Sequence, residues 1–344
     1  MAKQVIFLVH GMGDFSDGWS TSVQKQITDS YSSYGIAQSL GFNDLFRFEE
    51  ITYNRRFDAL RKQWRDDSGA VLDLLKTGGL DNSAVGKLAK AGGAAGAEGQ
   101  FLSSHVLDVL LYRFVPMVAE EARTIVSKRI LDTVLGSDQG LKWSVIAHSL
   151  GTAVAHDSLH ALFTQTVGGN SLLGTTQAQV LMMVANVSRL LEEDKVDVYK
   201  SMVRPGTSES VCRHYINAKH DWDPFPRPKE FKPSDDWPSV AARKAGRYVP
   251  ITINAFQNKN LHGLSHYLSN PKVHVALFRR LLPIDGVISD DELNTAAALY
   301  ESSTPLGQFE ELQQSLKKFQ IAEEATWAQI IAAFEDFVDT VKAF

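Results

Sequence analysis

Residues 143–159, "WSVIAHSLGTAVAHDSL", constrain the fold more than any other part of the chain. The segment starts as a short apolar run, breaks at His148-Ser149-Leu150-Gly151, and continues from Thr152 in small, helix-compatible residues. A strand passing directly into a helix is the unit of parallel sheets, because parallel neighbours need a crossover connection, usually helical. The same alternation recurs along the chain. Apolar strand candidates stand at 4–9, 46–53, 144–147, 179–184, 211–216 and 248–254, and helical periodicity at 23–31, 105–135, 152–163 and 273–281. The pattern predicts an α/β protein with a mostly parallel central sheet and helices on both faces. In such sheets the chemistry gathers at the carboxyl ends of the strands. Asn217, following its strand, and Pro224 put the next segment in a loop at that end.

A chain of 344 residues can bury a sizeable core. The expected division is an α/β domain over 1–285, carrying an inserted segment at about 54–104, and a helical C-terminal extension over 286–344. The net charge of −5, with basic residues scattered, gives no electrostatic case for nucleic acid or an anionic membrane as partner. Cys212 is the only cysteine, so there is neither a disulfide framework nor a cysteine metal site. The apolar run Val5 to Val9 is too short for a signal peptide and flows into His10-Gly11, so it reads as a buried first strand. No run approaches the ~20 apolar residues of a membrane helix, and a cytoplasmic location is expected.

Two segments depart from the alternation. Residues 76–100 are rich in Gly and Ala and predict a flexible surface excursion, able to act as a mobile cover. From Ser289 onward the chain is acidic and helical in period, and Trp327, Ile330, Ile331, Phe334, Phe337 and Val338 recur at the spacing of a face packed on the core.

A serine hydroxyl is a poor nucleophile at neutral pH. It needs a base within hydrogen-bond reach, a group that orients the base, and donors for a developing oxyanion. The nucleophile elbow G-x-S-x-G holds such a serine on a sharp strand-to-helix turn, where the residues two positions away on either side must be small. Positions 147–151 read A-H-S-L-G, between a strand and a helix, with Ala147 the mildest departure from the first glycine.

On this motif and its context the chain resembles the α/β-hydrolase superfamily, and within it the lipase- and esterase-like members, from about Gln4 to Leu282. The resemblance implies Ser149 as nucleophile, followed in chain order by an acid and a histidine. After the strand at 211–216 comes "NAKHDWDPFPRP", in which Asp223-Pro-Phe-Pro is similar to the turn after the acid strand of many lipases. Asp223 is the favoured acid and Asp221 its rival. Among the later histidines, His262 opens H-x-L-x-x-Y-L, similar to the sequence around the lipase histidine, and is favoured over His266; His274, among apolar neighbours, reads as structural. The resemblance further implies an oxyanion hole from the backbone N–H groups of Leu150 and Met12, the latter on the His10-Gly11 loop after the first strand.

Two other signals are set aside. The glycines of "HGMGDFSDG" meet Ser16 where a dinucleotide fingerprint needs its third glycine. His156 and His160 have the spacing of metal ligands on a helix, but no Glu follows His156 and no third ligand is evident. The expected function is therefore hydrolysis of a small-molecule or lipid carboxylic ester through an acyl-enzyme, with no cofactor. Thioester and amide cleavage use the same machinery. The alternative is a non-catalytic binding or scaffold module of the same fold, with the acidic helical tail as its contact surface.

Overall fold

The computed structural model describes residues 3–92, 105–137, 140–165, 172, 174–192, 197–206, 210–234, 237, 246–257, 260–282, 287–303, 314, 316 and 325–343. Six strands form one sheet: β1 (Gln4–Val9), β2 (Phe46–Ile51), β3 (Trp143–His148), β4 (Ala178–Val184), β5 (Cys212–His220) and β6 (Tyr248–Ile253). Their order is β2-β1-β3-β4-β5-β6, and every neighbouring pair is parallel.

The central strands are near-continuous apolar runs because both faces are buried. Along β1, Val5, Phe7 and Val9 join one core while Ile6 and Leu8 join the other. The second core is closed by α1 (Thr21–Ser32), α8 (Leu264–Ser269) and α9 (Pro271–Leu281). The first is closed by α2 (Arg55–Asp66), α3 (Ser68–Thr77), α4 (Asn82–Gly92), α5 (Leu107–Phe114), α6 (Pro116–Leu135), α7 (Leu150–Thr164) and, from the C-terminus, α11 (Trp327–Ala343). A further helix, α10 (Asp290–Ser302), starts at a capping box made by Ser289 and Glu292 and packs on α9.

The chain runs from β1 outward to β2 in one direction, and from β3 through β6 in the other. The connections after β1 and β3 therefore lie on opposite faces, α1 on one and α7 on the other, and their loops part at a topological switch point. Val9 pairs with Ala147, so the loop beginning at His10 and the turn at Ser149 leave the sheet side by side.

Three expectations need correction. β5 continues to His220, so Asn217 lies inside the strand; its polar end is held by β4 as far as Ala218 and by β6 as far as His220. The helix expected over 105–135 is two helices, because Pro116 forces Val115 into extended backbone. Residues 76–92 are not a flexible excursion: α3 ends at Thr77, α4 follows, and Leu80, Ala84 and Leu88 are fully buried. Small residues serve close packing there, since a Cβ on Gly78 would lie 1.7 Å from the Phe114 carbonyl oxygen. The rest of that expected cover, 93–100, lies outside the described residues. At the C-terminus, Ile330, Ile331 and Phe334 of α11 are buried in the first core, on the face their spacing predicts, and the helix packs on α4. Among the described residues no helix is long and apolar enough to cross a membrane.

Candidate active site

Ser149 stands between the last residue of β3 and the first of α7, with φ 53° and ψ −126°. An L-residue enters this region at a cost of order 1–3 kcal/mol, so the turn must be enforced by its surroundings. The Ser149 N–H donates to the Val184 carbonyl at 2.9 Å, and the Ser149 carbonyl accepts from the N–H and Oγ1 of Thr152 at 2.8 and 2.6 Å. Gly151 admits no side chain, since a Cβ there would sit 2.1 Å from the His10 carbonyl oxygen. Ala147 is fully buried within the sheet, where its methyl joins the core.

His262 lies in the loop between β6 and α8. Its Nε2 is 2.7 Å from Ser149 Oγ, and its Nδ1 is 2.8 and 3.0 Å from the two carboxylate oxygens of Asp223. Asp223 follows β5 and is completely buried. Burial alone would raise its pKa, but His262, the Tyr267 hydroxyl at 2.8 Å and the Phe225 N–H at 3.1 Å outweigh it and hold the carboxyl below the usual range. The structure thus brings Ser149, His262 and Asp223 together. The rivals stand elsewhere: Asp221 is exposed, and the His266 ring packs 5.2 Å from that of His220. His274 is held between the Tyr34 hydroxyl and the Leu268 carbonyl. The helical pair His156 and His160 is bonded to Ser201 Oγ and to the Met202 N–H.

His148 locks the histidine loop to the elbow. Burial and the neighbouring His262 push its pKa down to about 3, so the ring is neutral, and its Nε2–H donates to the His262 carbonyl at 2.6 Å.

The loop after β1 is equally constrained. The His10 ring is stacked between Phe15 and Tyr53, with centroids 4.3 and 4.1 Å away. Burial lowers its pKa to about 4. The neutral ring donates from Nδ1 to the Gly11 carbonyl at 2.8 Å and accepts the Tyr53 N–H at Nε2. The Tyr53 hydroxyl donates to the carbonyls of both His10 and Gly11. A Cβ on Gly11 would fall 3.0 Å from Ser149 Cβ, so the loop passes directly over Ser149 with Met12 next in line. Leu150, the first residue of α7, has no carbonyl in its own helix to receive its N–H.

Ser149 has no exposed surface, and the His262 side chain is 13 % exposed. The Phe225 ring lies 4.2 Å from the His262 ring, and Phe334 of α11 stacks 4.5 Å behind it. Of the residues that shape the site, Tyr267 lay inside the quoted H-x-L-x-x-Y-L segment. His148, Tyr53 and Phe334 carry no local signal for their roles, which arise from contacts across the chain.

A hydroxyl, an imidazole and a carboxylate linked in this order can move a proton from oxygen to nitrogen while the carboxylate steadies the resulting imidazolium. Compared with protein-family models, with curated proteins and with solved structures, the chain matches none.

Proposed function

We propose that the protein is a serine hydrolase of the α/β-hydrolase type, cleaving a carboxylic ester through an acyl-enzyme. The observation that carries this reading is the hydrogen-bonded line Ser149–His262–Asp223 on a serine held at positive φ. Ser149 Oγ attacks the ester carbonyl as His262 Nε2 takes its proton, and Asp223 keeps the other ring nitrogen protonated and the ring in place. The carbonyl oxygen becomes an oxyanion facing the N–H groups of Met12 and Leu150, each such donor being worth ~3 kcal/mol of transition-state stabilisation. Collapse breaks the bond to the alkoxide, which leaves with the proton from His262. Water then repeats the cycle on the acyl-serine and frees the acid.

The alternative, a binding module using its tail as the contact surface, is weakened by the burial of Ile330, Ile331 and Phe334. It draws on the burial of Ser149, which must become reachable for turnover. Labelling with a fluorophosphonate separates the two. Intact protein that labels, and fails to label as Ser149→Ala, supports the hydrolase; folded protein that does not label overturns it.

A further inference from the structure

If Met12 N–H holds the oxyanion, its direction is set by the peptides on either side. A peptide unit is planar and trans, so its N–H points away from its carbonyl. The Gly11–Met12 peptide is held at the carbonyl, which accepts from His10 Nδ1 and the Tyr53 hydroxyl. The Met12 N–H must then face the other way. The next peptide is held at its N–H, since Gly13, at φ 116°, donates to Asp108 Oδ2 at 2.9 Å. Met12 is therefore bracketed by an anchor on each flank.

The downstream anchor is built from the inserted segment between β2 and β3. Asp108 is on α5 and Arg61 on α2; both side chains are buried, and Arg61 donates to the same Oδ2 that receives the Gly13 N–H. Arg61 is itself steadied by Asp58. Oδ1 of Asp108 is buried with no hydrogen-bond partner.

We propose that Asp108, oriented by Arg61, is a positioning residue for the oxyanion loop: through the Gly13 N–H it fixes the peptide that aims the Met12 N–H at the reacting carbonyl. The proposal rests on the hydrolase reading above. The anchor also survives protonation. Burial pushes the Asp108 carboxyl up to about 7 against the pull of Arg61 and the Gly13 N–H. A proton on the partnerless Oδ1 leaves Oδ2 free to accept.

The test compares wild type, Asp108→Ala and Asp108→Asn in hydrolysis of p-nitrophenyl acetate and in inhibition by a trifluoromethyl ketone, which mimics the tetrahedral adduct. Asp108→Ala should lower kcat by about 100-fold, the loss expected from a small misplacement, with KM changed less than about threefold. Ketone affinity should fall in parallel with kcat/KM. Asp108→Asn keeps a carbonyl acceptor and should recover at least a tenth of wild-type kcat. A wild-type kcat and ketone affinity in Asp108→Ala would overturn the anchor while leaving the hydrolase intact. Should Asp108→Ala not fold, Asp108→Asn carries the test through the amide proton of Gly13. A Gly13 resonance that lies downfield in wild type, with ketone affinity in Asp108→Asn following any change in that resonance, supports the anchor; a wild-type Gly13 resonance that is not downfield, or one that moves while ketone affinity stays at the wild-type value, overturns it. A wild-type protein inert to both ester and fluorophosphonate removes the hydrolase reading, and the anchor with it.

Discussion

Among the described residues, two sets of serine, histidine and aspartate are joined by hydrogen bonds, and their surroundings set them apart. In the first, Ser149 Oγ meets His262 Nε2 at 2.7 Å and His262 Nδ1 meets Asp223 at 2.8 Å. In the second, His156 Nε2 meets Ser201 Oγ at 2.9 Å and His156 Nδ1 meets Asp157 at 3.0 Å. The distances barely differ. The surroundings do. Ser201 donates its own proton to the Val198 carbonyl and accepts the Val203 N–H, whereas the bond of Ser149 Oγ is to the His262 ring. The N–H after Ser201, that of Met202, is given to His160; the N–H after Ser149 begins a helix. Each acid accepts a tyrosine hydroxyl, but Asp157 is partly exposed and lies near Arg123, whereas Asp223 is completely buried. A hydrogen-bonded trio makes a nucleophile only where the serine has its proton to give and free donors stand beside it. The second set serves instead to tie α7 to the segment ahead of β5.

The sharpest way to break this contrast is to remove each serine. Ser149→Ala should cost about a million-fold in kcat for p-nitrophenyl ester hydrolysis, the scale of a lost triad nucleophile. Ser201→Ala should stay within about threefold of wild type, being remote from the reacting atoms. Equal losses would erase the distinction. The acids come next. Asp223→Asn should lower kcat by about 10,000-fold, because an amide cannot hold the imidazole in the tautomer that accepts the serine proton. Asp157→Asn should leave kcat nearly unchanged and reduce stability by about 1–3 kcal/mol, measured by urea unfolding.

Neither set could be assembled from the sequence by distance, yet one was legible and the other was not. The apolar runs and the A-H-S-L-G turn are local, so the parallel sheet and Ser149 follow from patterns a few residues long. Asp223 and His262 could be sought because chain order and strand ends limit where they fall. His156 and Ser201 are 45 residues apart with no motif between them. The same holds for Asp108, which reaches Gly13 across 95 residues. The end of β5 was missed because its carboxyl half is polar, and α4 because alanine and glycine pack closely without an apolar stripe of large residues.

Acid sharpens the contrast through the surroundings of the first set. His10, His105 and His148, around the Ser149 elbow, are lowered to about 4, 4 and 3, chiefly by burial, and His220 and His274 are lowered to about 4. Each binds its proton more tightly in the unfolded chain, so stability is lost as pH falls from about 6.5 toward 4, by about 1.4 kcal/mol per pH unit per histidine. Asp108, raised to about 7, has the opposite sign and offsets one of them. Unfolding midpoints in urea across this range should fall steeply, and His148→Gln should flatten the slope by about one proton. A stability flat from pH 6.5 to 4 would mean that these rings are not held neutral.

The smallest expected effect probes the acid's support. Tyr267 donates to Asp223 Oδ2 at 2.8 Å and accepts the His220 N–H at 3.0 Å, so one hydroxyl couples the acid to the end of β5. Asp157 receives a comparable bond from Tyr112 at 2.6 Å. Tyr267→Phe and Tyr112→Phe each remove a hydrogen bond to a carboxylate, and each should cost about 1.5–3 kcal/mol of stability. Only Tyr267→Phe should also change catalysis. With one bond fewer, Asp223 holds its negative charge less well, and the acid limb of the kcat/KM profile should move with it, with a fall in kcat of about tenfold. If both tyrosines shift stability and neither shifts the pH profile, Asp223 is fixed by His262 and the Phe225 N–H alone, and the Tyr267 hydroxyl is a strut of the fold like its counterpart on α5.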